Sequence, residues 1–186
     1  MGMPTLRRRW TVTDLEDLPD DGQRYEVIDG ELFVTPAPAL RHQKAVGLIY
    51  QQLADYCRRE RVGFPVIAPA DVVFSERRGV QPDAFVLPLV DGRSPESVDA
   101  HAVLLAIEVL SPSTARADRV VKRTVYREEG VPEYWIIDLD SRTVERSTPA
   151  DPRVEVLAER IEWQLDPTVP PFTIDLAEYF AEVLER

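Results

Sequence analysis

The chain has 186 residues, 44% of them hydrophobic, which suits one compact domain spanning 1–186 and is too apolar for a disordered chain. Its 22 basic and 33 acidic residues leave a net charge of −11, which argues against a protein that coats nucleic acid through a broad basic surface. A single cysteine, Cys57, rules out an internal disulfide, and no stretch approaches the ~18 apolar residues of a membrane span. No apolar run follows Arg7-Arg8-Arg9, so a secretory signal is not expected and a cytoplasmic protein is.

Thr13-Asp14-Leu15-Glu16 has the form of a capping box, so a short helix is predicted to begin there and to stop at Pro19. Arg24–Ile28 and Glu31–Thr35 read as a hairpin, because Asp29-Gly30 supplies the positive φ angles of a tight type I′ turn. From Arg41 to Arg61, His42, Ala45, Val46, Ile49, Leu53 and Tyr56 recur at helical spacing, and Gly63 and Pro65 should end that helix. Three strands are predicted next, at Val66–Ser75, Val80–Leu87 and Val103–Leu110, with Arg77-Arg78-Gly79 linking the first two as a hairpin. The third is apolar on both faces apart from Glu108, as a central strand covered on both sides would be.

A second helix is predicted over Arg116 to Glu129, ending at Gly130, with Ala117, Val120, Val121, Thr124 and Val125 as its packing face. Tyr134–Ile137 reads as another buried strand. Thr143–Arg146, Val154–Ala158 and Ile161–Leu165 read as short strands, and Leu176–Leu184 as a terminal helix. The expected fold is therefore mixed α/β: one sheet covered by helices, an αβββαβ core, an N-terminal hairpin and a β-rich tail.

A lone acid among seven apolar residues needs a reason, since burying a carboxylate costs several kcal/mol unless it is paired or binds metal. For Glu108 the readings are a buried Glu–Arg pair, a strand end that reaches water, or a metal ligand or general base. Asp83 shares a strand face with Phe85 and Leu87, and Glu108 shares one with Ala106 and Leu110, so pairing Asp83 opposite Glu108 would bring two carboxylates together. Such oxygens suit Mg²⁺ or Mn²⁺, whereas one cysteine and two distant histidines do not suit zinc. Asp83 also fits a turn cap after Pro82, and Lys122 fits either a reach to the strand tips or a surface ion pair with Asp118. The arginine clusters at 58–61, 77–78 and 116–123 fit local grips on nucleic acid or ordinary solvated faces.

Four segments carry a resemblance: Arg24–Leu32, Gln81-Pro82-Asp83, Glu108–Thr114 and Gly130–Trp135. Together they resemble the Uma2 family of restriction-endonuclease-like proteins, in the PD-(D/E)xK nuclease superfamily, from about Trp10 to Asp138. The resemblance implies hydrolysis of DNA phosphodiester bonds with Mg²⁺ or Mn²⁺. Pro82-Asp83 matches the PD element and Glu108 the acid of the (D/E)xK element. Leu110 stands where that pattern places lysine, and Lys122 is the natural substitute. Glu26 matches a family acid, and His42 a family histidine that fits a core position as well as a catalytic one. The implied metal ligands are Asp83, Glu108 and the carbonyl of Val109. A restriction-type enzyme acting on two strands implies a homodimer. The rival readings are an idle nuclease-like binding or assembly module, which Leu110 and the acidic charge favour, and a hydrolase of small phosphate esters.

Overall fold

The computed structural model describes residues 9–185; Arg7 and Arg8, on which part of the reading against a secretory signal falls, lie outside the described residues. Strands β1 (Arg24–Ile28) and β2 (Glu31–Thr35) form the expected hairpin, with Asp29 and Gly30 at φ 53° and 81°. Ahead of them Thr13–Asp17 forms a short 3-10 helix, but the predicted box is displaced. Thr11 and Asp14 cap one another instead, at 2.8 Å from the Thr11 hydroxyl to the Asp14 carboxylate.

Helix α1 spans Leu40–Glu60 and buries His42, Ala45, Val46, Ile49, Leu53, Tyr56 and Cys57, the stripe expected from its spacing. It ends at Arg61, left-handed at φ 57°, rather than at Gly63. Gly63 serves a close approach: a Cβ there would stand 2.7 Å from Val86 Cγ1.

The segment expected as one strand up to Ser75 divides into β3 (Phe64–Ile67) and β4 (Val72–Ser75). The next divides into β5 (Arg78–Val80) and β6 (Ala84–Leu87). Pro69 and Pro82 lie in the two breaks, where a residue without an N–H donor cannot continue a ladder. The expected hairpin is real only for β4 and β5, whereas β3 pairs with β6. Arg78 and Gly79 are therefore strand residues rather than the link.

The other strands are β7 (Leu105–Val109), β8 (Tyr134–Asp138), β9 (Thr143–Thr148), β10 (Asp151–Leu157), β11 (Arg160–Trp163) and β12 (Phe172–Asp175). Among the described residues they build three sheets where one was expected: β2-β1-β5-β4, β10-β9-β8-β7-β6-β3 and β11-β12. The front hairpin pairs with β5, not with the central sheet. Strand β12 went unread in the sequence because Phe172 and Ile174 are only two apolar residues in a polar stretch.

The six-stranded sheet is the centre, with β7 antiparallel to β6 and parallel to β8. Ala84, Val86, Leu105, Ile107, Trp135 and Ile137 pack with α1 and with α3 (Leu176–Glu185). Phe85, Leu87, Ala106, Tyr134 and Ile136 pack with α2 (Arg123–Glu128). Each fully buried Leu or Ile contributes roughly 1.5–3 kcal/mol, so this two-sided burial fixes β6 and β7 firmly.

The second helix departs most from expectation. Ala117–Lys122 is a π-helical turn that runs into α2. The buried residues of the whole segment, Asp118, Lys122, Val125 and Tyr126, nevertheless recur at i, i+4, i+7 and i+8, so the inward stripe is a neighbouring one to that expected. Val120, expected on the packing face, is 58% exposed, while Asp118 and Lys122 are buried. No helix among the described residues is long and apolar enough to cross a membrane.

Candidate active site

Strands β6 and β7 set the positions of the two acids. Ala84 is the register partner of Ile107, so continuing that register by one residue places Asp83 beside Glu108. Asp83 lies just before β6 rather than within it. Strand alternation sends Glu108 to the side of Ala106 and Asp83 to the side of Phe85, which is the α2 side of the sheet. Both acids are 2% exposed.

Asp83 is held on both oxygens. Arg24 donates to Oδ1 from Nη1 and Nη2 at 3.0 Å, while the Val109 N–H donates to Oδ2 at 2.8 Å. His42 Nε2 lies 3.1 Å from the same Oδ2, and its Nδ1 is buried without a partner among the described residues. Burial opposes ionisation of Asp83, but His42, Arg24 and the Val109 N–H outweigh it and hold the carboxyl down at about 2.

Glu108 is held through Lys122, whose ammonium donates to Oε1 at 2.8 Å. The same ammonium lies 2.9 Å from Glu26 Oε1 and 3.7 Å from Asp118 Oδ1. Glu26 Oε1 also accepts the Gln81 N–H at 2.7 Å, which ties the front hairpin to the Pro82 turn. Burial pushes the Glu108 carboxyl well above its usual range, the charge of Lys122 opposes that, and Asp83, Asp118 and Glu26 add to it. Burial also raises Asp118, against Lys122 and a Thr114 hydrogen bond. For Lys122 burial disfavours the charge, but Glu108 and Glu26 more than offset it, so the ammonium is retained. A cation set among several buried acids keeps its charge, while burial and the neighbouring carboxyls hold Glu108 up against its pull.

Thus Asp83, Glu108, Lys122 and Glu26, all expected from the sequence, meet in one place, and Lys122 is no surface residue. Leu110 packs at the edge of the second core, and Lys122 brings its ammonium to Glu108 from the π-helical turn. His42 is both a core and a site residue. Asp83, Glu108, Asp118, Lys122, Arg24 and His42 line one cleft of about 210 Å³, where the backbone of Val109 also lies.

Two members were missed in the sequence. Arg24 stands two residues before Glu26 on β1, hence on the same strand face, and that spacing was a usable signal. Asp118 is expected only as a surface partner of Lys122, because the apolar Ala117, Val120 and Val121 mark a neighbouring stripe as the packing face. The arginine clusters, by contrast, are mostly tied to acids: Arg78 to Asp29, Glu128 and Glu129, Arg119 to Asp138 and Glu145, and Arg123 to Glu145.

The donor set is one of hard oxygens, of the kind that Mg²⁺ and Mn²⁺ prefer. Four buried carboxyls, Glu26, Asp83, Glu108 and Asp118, face two permanent cations, Arg24 and Lys122, an excess of two negative charges when all are ionised. A divalent cation would cancel that excess. Among the described residues no three His, Cys, Asp or Glu side chains already converge as a ligand set. Magnesium commonly takes only one or two carboxylates, with water and phosphate completing the shell, so the residues present fit it.

The model of the Uma2 family, described as putative restriction endonuclease, matches residues 12–177. The chain belongs to the Uma2 family. No curated protein matches the chain. A solved structure described as a putative nuclease belonging to DUF820, from Anabaena variabilis, is similar with a TM-score of 0.75 at 19% identity. The likeness covers 94% of this chain and 99% of that one, and at this identity it establishes the fold alone. The chain is thus a Uma2 protein with a mixed α/β fold similar to that of a protein described as a putative nuclease.

Proposed function

We propose that this Uma2 protein is a divalent-metal-dependent endonuclease of restriction type that hydrolyses phosphodiester bonds of DNA. The observation that carries the reading is the meeting of Asp83, Glu108 and the Lys122 ammonium in one cleft, with Lys122 2.8 Å from Glu108. Asp83, Glu108 and the Val109 carbonyl would hold Mg²⁺ or Mn²⁺, and the ion, when bound, supplies Lewis acidity toward the phosphate and a more acidic water. Lys122 faces the charge that develops on the phosphate, a role for a preorganised cation in a site largely closed to water. His42, Arg24 and the Val109 N–H together keep Asp83 ionised against its burial, and their contacts fix its direction. Glu26 anchors the lysine from the far side.

The test is incubation of purified protein with circular DNA and Mg²⁺ or Mn²⁺, beside Glu108→Gln. Cleavage by the wild type that the variant lacks is expected, and equal cleavage by both sinks the assignment. RNA and nucleotide substrates in parallel separate a nuclease from a hydrolase of small phosphate esters. We further propose a homodimer, with one site for each strand. It predicts a dimer mass in solution and linear product without a lasting build-up of nicked circles.

One observation favours the reading of an idle binding module: both oxygens of Asp83 already accept hydrogen bonds or ion pairs. An idle module would gain no thermal stability from Mn²⁺.

A further inference from the structure

Asp118 is 1% exposed, and its Oδ1 accepts no hydrogen bond among the described residues. A buried carboxylate oxygen without a donor is costly, and natural proteins rarely leave one without a purpose. The neighbouring cation is incompletely used as well. An ammonium has three N–H donors, and among the described residues Lys122 has two side-chain partners at hydrogen-bond length, Glu108 at 2.8 Å and Glu26 at 2.9 Å. Asp118 Oδ1 stands beyond that range, at 3.7 Å. An unfilled acceptor thus lies one short side-chain movement from a donor with a direction to spare.

The cleft gives this gap a meaning. Glu108 Oε1 is engaged by the ammonium, and a divalent ion placed on Glu108 would stand close to a second positive charge. Like charges at that separation repel, so the lysine must yield position as the ion enters. Asp118 lies four residues before Lys122 on the same helical segment, so the ammonium reaches it by rotating its own side chain, with no backbone shift. Glu26 remains the hinge of that movement.

We propose that Asp118 is a positioning residue, its free Oδ1 being the acceptor onto which the Lys122 ammonium moves when Glu108 takes up a divalent cation. The proposal rests on the metal-dependent reading above. It gives the lysine two stations, one on Glu108 in the metal-free protein and one on Asp118 in the loaded protein.

Mn²⁺ binding itself tests this, by titration calorimetry on wild type, Asp118→Asn, Lys122→Gln and the double variant. Each protein is first checked for native fold by circular dichroism, and Asp118→Ser and Lys122→Met stand in for a variant that fails to fold. Asp118→Asn is expected to weaken Mn²⁺ binding about tenfold in the wild-type background and less than about twofold in the Lys122→Gln background, where there is no ammonium to relocate. Unchanged affinity in Asp118→Asn overturns the proposal. An equal loss in both backgrounds also overturns it, because a direct ligand or a plain field effect of Asp118 does not depend on the lysine. A wild type that binds no Mn²⁺ overturns the metal-dependent reading and this proposal with it.

Discussion

Two charged clusters draw on alternating residues of one helical segment and differ in balance. Arg119 binds Asp138 at 2.7 Å and Glu145 at 2.6 Å, and Arg123 binds Glu145. Two cations meet two acids there, and Arg119 keeps a third of its side chain in water. One residue along from each arginine, Asp118 and Lys122 belong to the buried cluster, where four carboxyls share two permanent cations. A balanced, partly exposed network joins the segment to β8 and β9 and calls for no further group. An unbalanced, buried one holds its acids in readiness, because something positive must still arrive or a proton must be taken up.

The comparison breaks most sharply at Lys122. Lys122→Met leaves the inner acids without their shared cation, and the metal-free protein is expected to lose about 3–5 kcal/mol in denaturant titration, along with cleavage. Arg119→Met in the outer network is expected to cost about 1 kcal/mol or less and to keep cleavage. Equal losses would erase the distinction between the clusters.

The metal response comes next in size. Mn²⁺ at about 100 times its dissociation constant should stabilise the wild type by about 2.7 kcal/mol, read as a rise in melting temperature. That rise should vanish in Glu108→Gln and persist in Arg123→Gln. A metal response independent of Glu108 would move the ion elsewhere.

The pH dependence of the metal-free protein separates the two inner acids. The Glu108 carboxyl is raised by burial, so its stabilising contribution is complete below its unfolded value of 4.5 and fades as pH rises through the higher folded value. Asp83 works in the opposite sense: its contribution, on the order of 2 kcal/mol, is present above 3.8 and lost as pH falls toward about 2. Melting curves from about pH 3 to pH 8 should show decline on both sides. Glu108→Gln should remove the decline at high pH, and Asp83→Asn the one at low pH. In the outer network Asp138 is lowered too, with burial opposed by hydrogen bonds from Ser141 and Arg119, so Asp138→Asn should weaken only the acid side, and least of all.

Much of this was legible in residue order, for identifiable reasons. The type I′ hairpin follows from Asp29-Gly30, where the backbone demand is local. The buried face of α1 and the doubly buried β7 follow from periodicity, which needs no knowledge of neighbours. The pairing of Asp83 with Glu108 was readable because strand alternation fixes faces and the antiparallel register then aligns them. The separation of β3 from β4 and of β5 from β6 was not, since Pro69 and Pro82 interrupt ladders but do not say which sheet each fragment joins.

Residue types and local spacing thus settled that this chain carries two strand-borne acids in a mixed α/β frame and a nearby lysine of undecided role. Folding decided the role's geometry. Only the packing of this segment against β1 and β8 decides that the face of Asp118, Lys122 and Tyr126 turns inward, rather than that of Ala117, Val120 and Thr124. Only the separate front sheet brings Arg24 to the cleft and Glu26 to the Lys122 ammonium, each bonded to a residue more than fifty positions away. Charge balance at a site is a sum over chain-distant groups, and such a sum exists only once the tertiary structure has assembled them.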